Sequence, residues 1–246
     1  MLKLLFSGRR LWMTLLVIAG ALVLGRLGIW QLDRLAQRHA LNNSIDTRMA
    51  QPAVALDGGA IDAEALEYRQ VEARGVYDPA QEIVLRNRAL EGAPGVHILT
   101  PLRISGSKAA VLVDRGWIPL EQSAPEARNS FAPPQGEVVI KGVARRSQAN
   151  TGGPQDPPLS PDRPRLDAWF RVDTTRIEQQ TGYPLLPIFV EQQPAPGAPD
   201  LPRREATTDL GEGPHLSYAI QWFAFAAILL VGYIAFTYQQ LRRSQP

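Results

Sequence analysis

Leu11–Trp30 reads LWMTLLVIAGALVLGRLGIW, and Tyr218–Tyr238 reads YAIQWFAFAAILLVGYIAFTY. Each run is about 20 residues long. At a rise of about 1.5 Å per residue, either one forms a helix of about 30 Å, the hydrocarbon thickness of a bilayer. Nearly everything polar lies between them. The expected organisation is a short N-terminal tail (1–10), a first transmembrane helix (11–30), an extracytoplasmic domain (31–217), a second transmembrane helix (218–238) and a C-terminal tail (239–246).

The flanking charges give an orientation. Lys3, Arg9 and Arg10 precede the first run, and Arg242 and Arg243 follow the second. Asp209 and Glu212 lie just before the second run, with no Lys or Arg after Arg204. A cytoplasmic Lys/Arg excess therefore predicts both termini inside and the central domain outside, although Arg34, Arg38 and Arg48 oppose this. Ala19-Gly20-Ala21 resembles a signal-peptidase site, but the apolar run continues through Leu22, Val23, Leu24, Leu27 and Ile29. A retained membrane helix is the better reading.

The net charge is +2 over 246 residues, too balanced to indicate nucleic acid. There is no cysteine, which removes disulfides, thiolate metal sites and a cysteine nucleophile. From about Arg69 onward, short Val/Ile-rich runs alternate with turns. Strands are expected over 70–75, 83–85, 95–104, 109–114, 137–143, 168–172 and 187–192. One helix is signalled by a cap at Asp173 or Thr175, Glu178, and a stop at Gly182 and Pro184. A second helix over Ala36–Met49 continues the first span. Thr151–Arg165 and Gln193–Pro202 are proline-rich loops. The fold class is mainly β with minor α: a small barrel or sandwich between two terminal transmembrane helices.

No catalytic constellation emerges from this pattern, and an enzyme is not expected. His39, His97 and His215 are the three histidines. None lies in a triad, HExxH or phosphate-loop context, and Gly152-Gly153 is followed by proline. His215, Tyr218, Trp222 and Phe225 share one helical face. That stripe reads either as a haem-iron ligand above an aromatic wall or as an interfacial anchor. Arg26, Trp30 and Arg34 share a face of the first helix. Arg26 and Arg34 read either as partners for an acid such as a haem propionate, or as cations snorkelling to headgroups. Ala21 and Gly25 form a small-xxx-small pair that admits a close helix.

Four segments resemble the surfeit locus protein 1 family, assembly factors for cytochrome c oxidase. Gly28–Arg34 (GIWQLDR) resembles the G-x-W-Q-x-x-R signature, and Gly95–Leu102 (GVHILTPL) the G-x-x-x-x-T-P-L strand. Val111–Pro119 (VLVDRGWIP) resembles V-N-R-G-W-x-P, and His215–Phe223 (HLSYAIQWF) resembles H-L-x-Y-A-x-x-W-F. They occur in family order across nearly the whole chain. Asp114 departs from the usual asparagine, and the two proline-rich insertions look peculiar to this chain.

The resemblance implies a non-enzymatic, two-pass protein of the bacterial inner membrane with a periplasmic domain. It implies assistance with haem A delivery or insertion into oxidase subunit I. His215 would be the iron ligand, with Tyr218, Trp222, Arg26 and Arg34 around the haem. Haem A synthase, other assembly factors and membrane lipid are the further partners implied. Arg115-Gly116-Trp117 is either a glycine-enabled turn with a packed indole or a docking surface. The alternatives are a haem-independent scaffold of the assembly intermediate and an extracytoplasmic sensor or envelope adaptor.

Overall fold

The computed structural model describes residues 8–149, 154–204 and 210–243. Lys3, Thr151, Gly152-Gly153 and Asp209, to which the sequence assigned roles, lie outside the described residues. The chain divides into a helical unit made from its two ends, up to Ser44 and from Leu210, and a β unit, Ile45–Asp209.

Helix α1, Gly8–Met49, is 42 residues long. That length corresponds to about 60 Å, twice a bilayer's apolar thickness. The first proline of the chain, Pro52, lies just past its end, so the helix predicted over Ala36–Met49 is a continuation of the first span. At the far end of the sequence, His215–Arg243 forms a helix of 29 residues. Both are long and apolar enough to cross a membrane. Large apolar side chains point outward along them, with Leu16 73 % exposed and Ile228 67 % exposed. A buried core helix of a soluble protein would not show such a surface.

The two helices pack antiparallel. Thr14, Val17, Ala21, Leu24, Gly28, Gln31, Leu35, Arg38 and Asn42, spaced 3-4-3-4, are among the less exposed positions of α1. This 3.5-residue period is the seam of a left-handed helix pair. The closest approach falls at Gly28, where an added Cβ would lie 2.7 Å from the Phe223 ring, and at Gly20 beside Leu229. Gly25 of the predicted small-residue pair would meet nothing. Thr14 and Tyr233 hydroxyls bond across the pair at 2.5 Å.

The β unit has eight strands: β1 Val54–Leu56, β2 Gln70–Tyr77, β3 Ile83–Leu90, β4 Ala93–Ile104, β5 Ala110–Pro119, β6 Glu137–Arg146, β7 Ala168–Trp169 and β8 Leu185–Gln192. Two short helices, α2 (Ala63–Leu66) and α3 (Pro125–Arg128), and the longer α4 (Thr174–Thr181) lie among them. The final helix is then α5.

Five strands close a barrel in the order β2-β6-β8-β5-β4, with β4 returning to β2. All contacts in the ring are antiparallel except β5 with β8. The long strand β4 makes closure possible. Its first part pairs with β3, and Leu102–Ile104 turns to pair with β2. Gly75 stands at that junction, where a Cβ would sit 2.1 Å from the Arg103 carbonyl oxygen. Pro187, which cannot donate to a ladder, falls where the β5–β8 register shifts.

Val71, Ala73, Leu102, Val111, Val113, Ile140, Ile188 and Val190 belong to one apolar cluster. Ala110, Leu112, Leu85, Trp169 and Phe189 form a second, which takes in Ile177 of α4. Strand β5 is therefore buried on both faces, which explains its unbroken apolar reading. Helix α4 begins as predicted: the Asp173 carboxylate accepts from Arg176 N at 3.2 Å, and Gly182 closes it at φ 76°. The predicted strand 168–172 is cut to two residues. Its backbone is taken by side chains instead, Phe170 N by Asp156 and Val172 N by Gln148.

Gly75→Ala should destabilise the β unit by about 3 kcal/mol, because the clash is with main chain that cannot rotate away. Urea denaturation of the detergent-solubilised chain measures it. A change within error of zero would mean the β2–β4 contact does not close the barrel.

Candidate functional site

The polar residues that stand out in sequence separate into two sites. The first is in the helical unit. Gln31 faces α5 from the seam of α1, and His215 opens α5. The imidazole Nδ1 lies 2.9 Å from the Gln31 amide oxygen. With the amide oxygen as acceptor the ring donates from Nδ1, and Nε2 has no hydrogen-bond partner among the described residues. Small residues let the partners meet: Gly28 is buried one turn from Gln31, and Ala219, one turn from His215, is 1 % exposed.

The segment entering α5 is also tied to α1. Asn42 donates to the Leu210 carbonyl at 2.6 Å and Arg38 to the Gly211 carbonyl at 2.8 Å. His39 Nε2 lies 3.0 Å from the Glu212 carboxylate.

The predicted stripe on α5 is split between two environments. His215 and Trp222 are half-buried on the seam, whereas Tyr218 and Phe225 are exposed. Trp222 packs edge-on against Phe225, with ring centroids 6.2 Å apart. Its indole N–H is buried and has no acceptor among the described residues. Of the two predicted arginines, Arg34 is exposed one turn beyond Gln31. It lies 5.8 Å over the Trp30 ring and donates to Gln37 at 3.0 Å. Arg26 is exposed on the outer side of α1, five residues before Gln31 and off the seam. Gln31 is the member that sequence reading did not single out. Its signal was a polar residue at a seam position in an apolar setting.

The second site surrounds Arg115-Gly116-Trp117 in the barrel. The β4–β5 ladder runs Ile98 to Gly116 and then Leu99 to Asp114, so Arg115 is the extra residue of a bulge. Bulges re-aim side chains. Here the guanidinium is turned into the protein, where it bonds Glu82 at 3.1 Å, the Thr100 hydroxyl at 3.5 Å and the Phe131 carbonyl. Thr100 also donates to Glu82 at 2.8 Å, and Arg128 adds an ion pair to Glu82 at 3.7 Å and one to Asp167 at 2.9 Å.

Burial raises the Glu82 carboxyl above its ordinary 4.5, against the pull of Thr100, Arg115 and Arg128. Burial likewise lowers Arg115 and pushes Tyr77, whose ring lies beneath Arg115, up to about 12. On both sides of the ion pair, desolvation outweighs attraction.

Gly116 adopts φ 121° with the Arg203 carbonyl where a side chain would be, and Trp117 Nε1 donates to the Arg88 carbonyl at 3.1 Å. Asp114, in place of the family's asparagine, takes His97 Nδ1 at 2.7 Å and Gly116 N at 3.0 Å. The motif is thus a glycine-enabled bend with a packed indole, and its polar atoms are spent internally.

No group of three or more His, Cys, Asp or Glu that could hold a metal ion exists among the described residues. The fold and the first site define a class: a closed five-stranded barrel, encoded in sequence between two apolar helices that pair through a histidine and a glutamine. The chain belongs to the SURF1 family, whose profile matches residues 18–227. It is 27 % identical to human surfeit locus protein 1 and 26 % identical to the mouse protein. Each alignment covers 88 % of this chain, with 73 % of the human and 72 % of the mouse protein. It is 29 % identical to an uncharacterised SURF1-like protein of Mycobacterium tuberculosis, over 98 % of this chain and 88 % of that one.

Two variants test the buried network. Glu82→Ala should cost about 3–5 kcal/mol, because it strands Arg115 without its carboxylate. Glu82→Gln tests the sign of the pH dependence. A raised folded pKa gives a contribution fully present below about 4.5 and lost as pH rises through the raised value. Wild-type stability relative to Glu82→Gln should therefore grow from neutral pH down to about pH 4, in thermal melts of the purified chain. A difference that shrinks on acidification would show that Glu82 is an ordinary stabilised carboxylate.

Proposed function

We propose that this protein is a two-pass assembly factor for haem-copper cytochrome c oxidase that holds haem A in passing and presents it to subunit I. On this reading the chain lies in the bacterial inner membrane, with both termini cytoplasmic and the β unit periplasmic. It acts as a carrier rather than an enzyme. The observation that carries the proposal is the Gln31–His215 bond. A metal-binding histidine is normally oriented by a hydrogen bond from its other ring nitrogen, which fixes the tautomer and raises the basicity of the free one. Gln31 and His215 supply that arrangement from the two motif segments that lie within the helices.

The surroundings fit a large apolar macrocycle. Trp222 stands two turns, about 10 Å, below His215 and carries a buried N–H with no acceptor among the described residues. Phe225 and Tyr218 give aromatic surface beside it. Arg34, one turn from Gln31, is the arginine placed to meet an anionic substituent such as a propionate. Arg26, on the outer face, is assigned to headgroup phosphate. Haem A is cargo here, supplied by haem A synthase and released to the oxidase.

Protein purified from cells making haem A should show a Soret band. The band should vanish in His215→Ala, persist in His97→Ala, and require about 10–100-fold more haem for saturation in Gln31→Ala. If wild type made beside active haem A synthase carries no haem, carriage is wrong and the haem-independent scaffold takes its place. Normal oxidase content in a deletion strain would remove both.

A further inference from the structure

The chain enters α5 through residues 210–214, and α1 holds this approach at three consecutive positions. Asn42 donates to the Leu210 carbonyl, Arg38 to the Gly211 carbonyl, and His39 Nε2 lies beside the Glu212 carboxylate. Pro214 then starts the helix: its carbonyl accepts the Tyr218 N–H at 3.1 Å and the Ser217 hydroxyl at 2.8 Å. Gly213 lies between the tied stretch and the helix. It adopts φ 69°, a left-handed conformation that a residue with a Cβ takes only with strain.

That turn lays Gly213 against one edge of the His215 ring. A Cβ added there would lie 3.5 Å from both Cδ2 and Nε2. Across the ring, Nδ1 meets Gln31, while Nε2 has no hydrogen-bond partner among the described residues. The imidazole is therefore braced on one edge by an amide and bordered on the other by a residue with no side chain. Left-handed glycines elsewhere lack this relation. Gly182 and Gly197 take the same conformation, at φ 76° and φ 74°, with open space where a Cβ would sit.

We infer that Gly213 controls the access of iron to His215: its missing side chain leaves beside Nε2 the space that a bound macrocycle fills. A metal–imidazole bond is about 2 Å long. A planar macrocycle centred at that distance spreads sideways beneath anything standing 3.5 Å from Nε2. A methyl group in that place would press on the face of the macrocycle from inside ordinary carbon–carbon contact, about 3.5–4.0 Å. The inference rests on haem carriage by His215 and deepens it, because it names the position that decides whether a wide, flat ligand can reach the nitrogen. Gln31 orients the ring; Gly213 keeps its other edge open.

Gly213→Ala and Gly213→Asn separate access from backbone strain. Asparagine enters the left-handed region far more readily than alanine, yet both add a Cβ. Full-length wild type, both variants and Gly197→Ala, which adds a Cβ at a left-handed glycine with nothing beside it, are titrated with haem A in detergent. Thermal melts of the haem-free forms report the fold. Both Gly213 variants should need about tenfold or more haem for half-saturation, and Gly197→Ala should match wild type. Gly213→Asn should melt close to wild type and carries the test if Gly213→Ala does not fold. Wild-type haem binding by Gly213→Asn would show that the glycine serves the turn alone and overturn the inference. So would loss of haem confined to variants whose haem-free form no longer melts cooperatively. Either result leaves carriage standing, whereas a wild type that takes up no haem removes carriage and this inference with it.

Discussion

The inward turn of Arg115 is the constraint around which the β unit is organised. A guanidinium can be buried only with its charge matched and its donors taken. The bulge in β5 delivers it to Glu82, Thr100 and Phe131, which come from separate parts of the chain. Arg128 and Asp167 extend the same network, so α3 and the loop before β7 are held by it as well. The next two residues continue the logic. Gly116 leaves room for the Arg203 backbone, and Trp117 ties β5 to the Arg88 carbonyl. That last bond reaches β3 where its register with β4 shifts between Leu85 and Arg88, so the bulge in one strand supports the bulge in another.

The helical unit depends on a different economy. Apolar side chains face outward along both helices, and in a membrane they give no preference for helix pairing. Pairing there relies on close contact and on polar groups that find each other. Gly28 and Gly20 provide the contact against Phe223 and Leu229, and Thr14–Tyr233 and Gln31–His215 provide the polar bonds. The Gln31–His215 bond also engages one imidazole nitrogen and leaves the other without a partner among the described residues, a property the Thr14–Tyr233 bond lacks.

Much of the fold was legible because its signals are local. Asp173 and Gly182 bound α4 by side-chain capping and a left-handed glycine, and both are visible in sequence. The alternation of β2 marks it as a strand with one buried face. Strand β5 was read only to Asp114, because Arg-Gly-Trp looks like a break; the ladder absorbs it as a bulge and runs on to Pro119. Strand β1 is three residues long, too short to show a period. The closure of β4 on β2 rests on pairings between distant residues, which no local pattern encodes. His215 was recognisable as a residue of interest, but its partner is 184 positions away. The face carrying Arg26 was read correctly as a face, and what sequence lacked was the side from which α5 approaches.

The motif segments divide by what their polar atoms are doing. Those in the barrel are consumed: Thr100 serves Glu82, Asp114 serves His97 and Gly116, and Arg115 serves three partners. A side chain whose capacity is filled inside the fold has little left for a ligand, so these segments account for stability and shape. The helical segments are only partly consumed. Among the described residues, His215 spends one nitrogen and keeps the other, and Trp222 buries an N–H with no acceptor. Leaving a polar group unsatisfied costs free energy that a purely structural motif has no reason to carry. Unspent capacity is what a ligand of any kind would use, and in this molecule the motifs leave it on the helix pair.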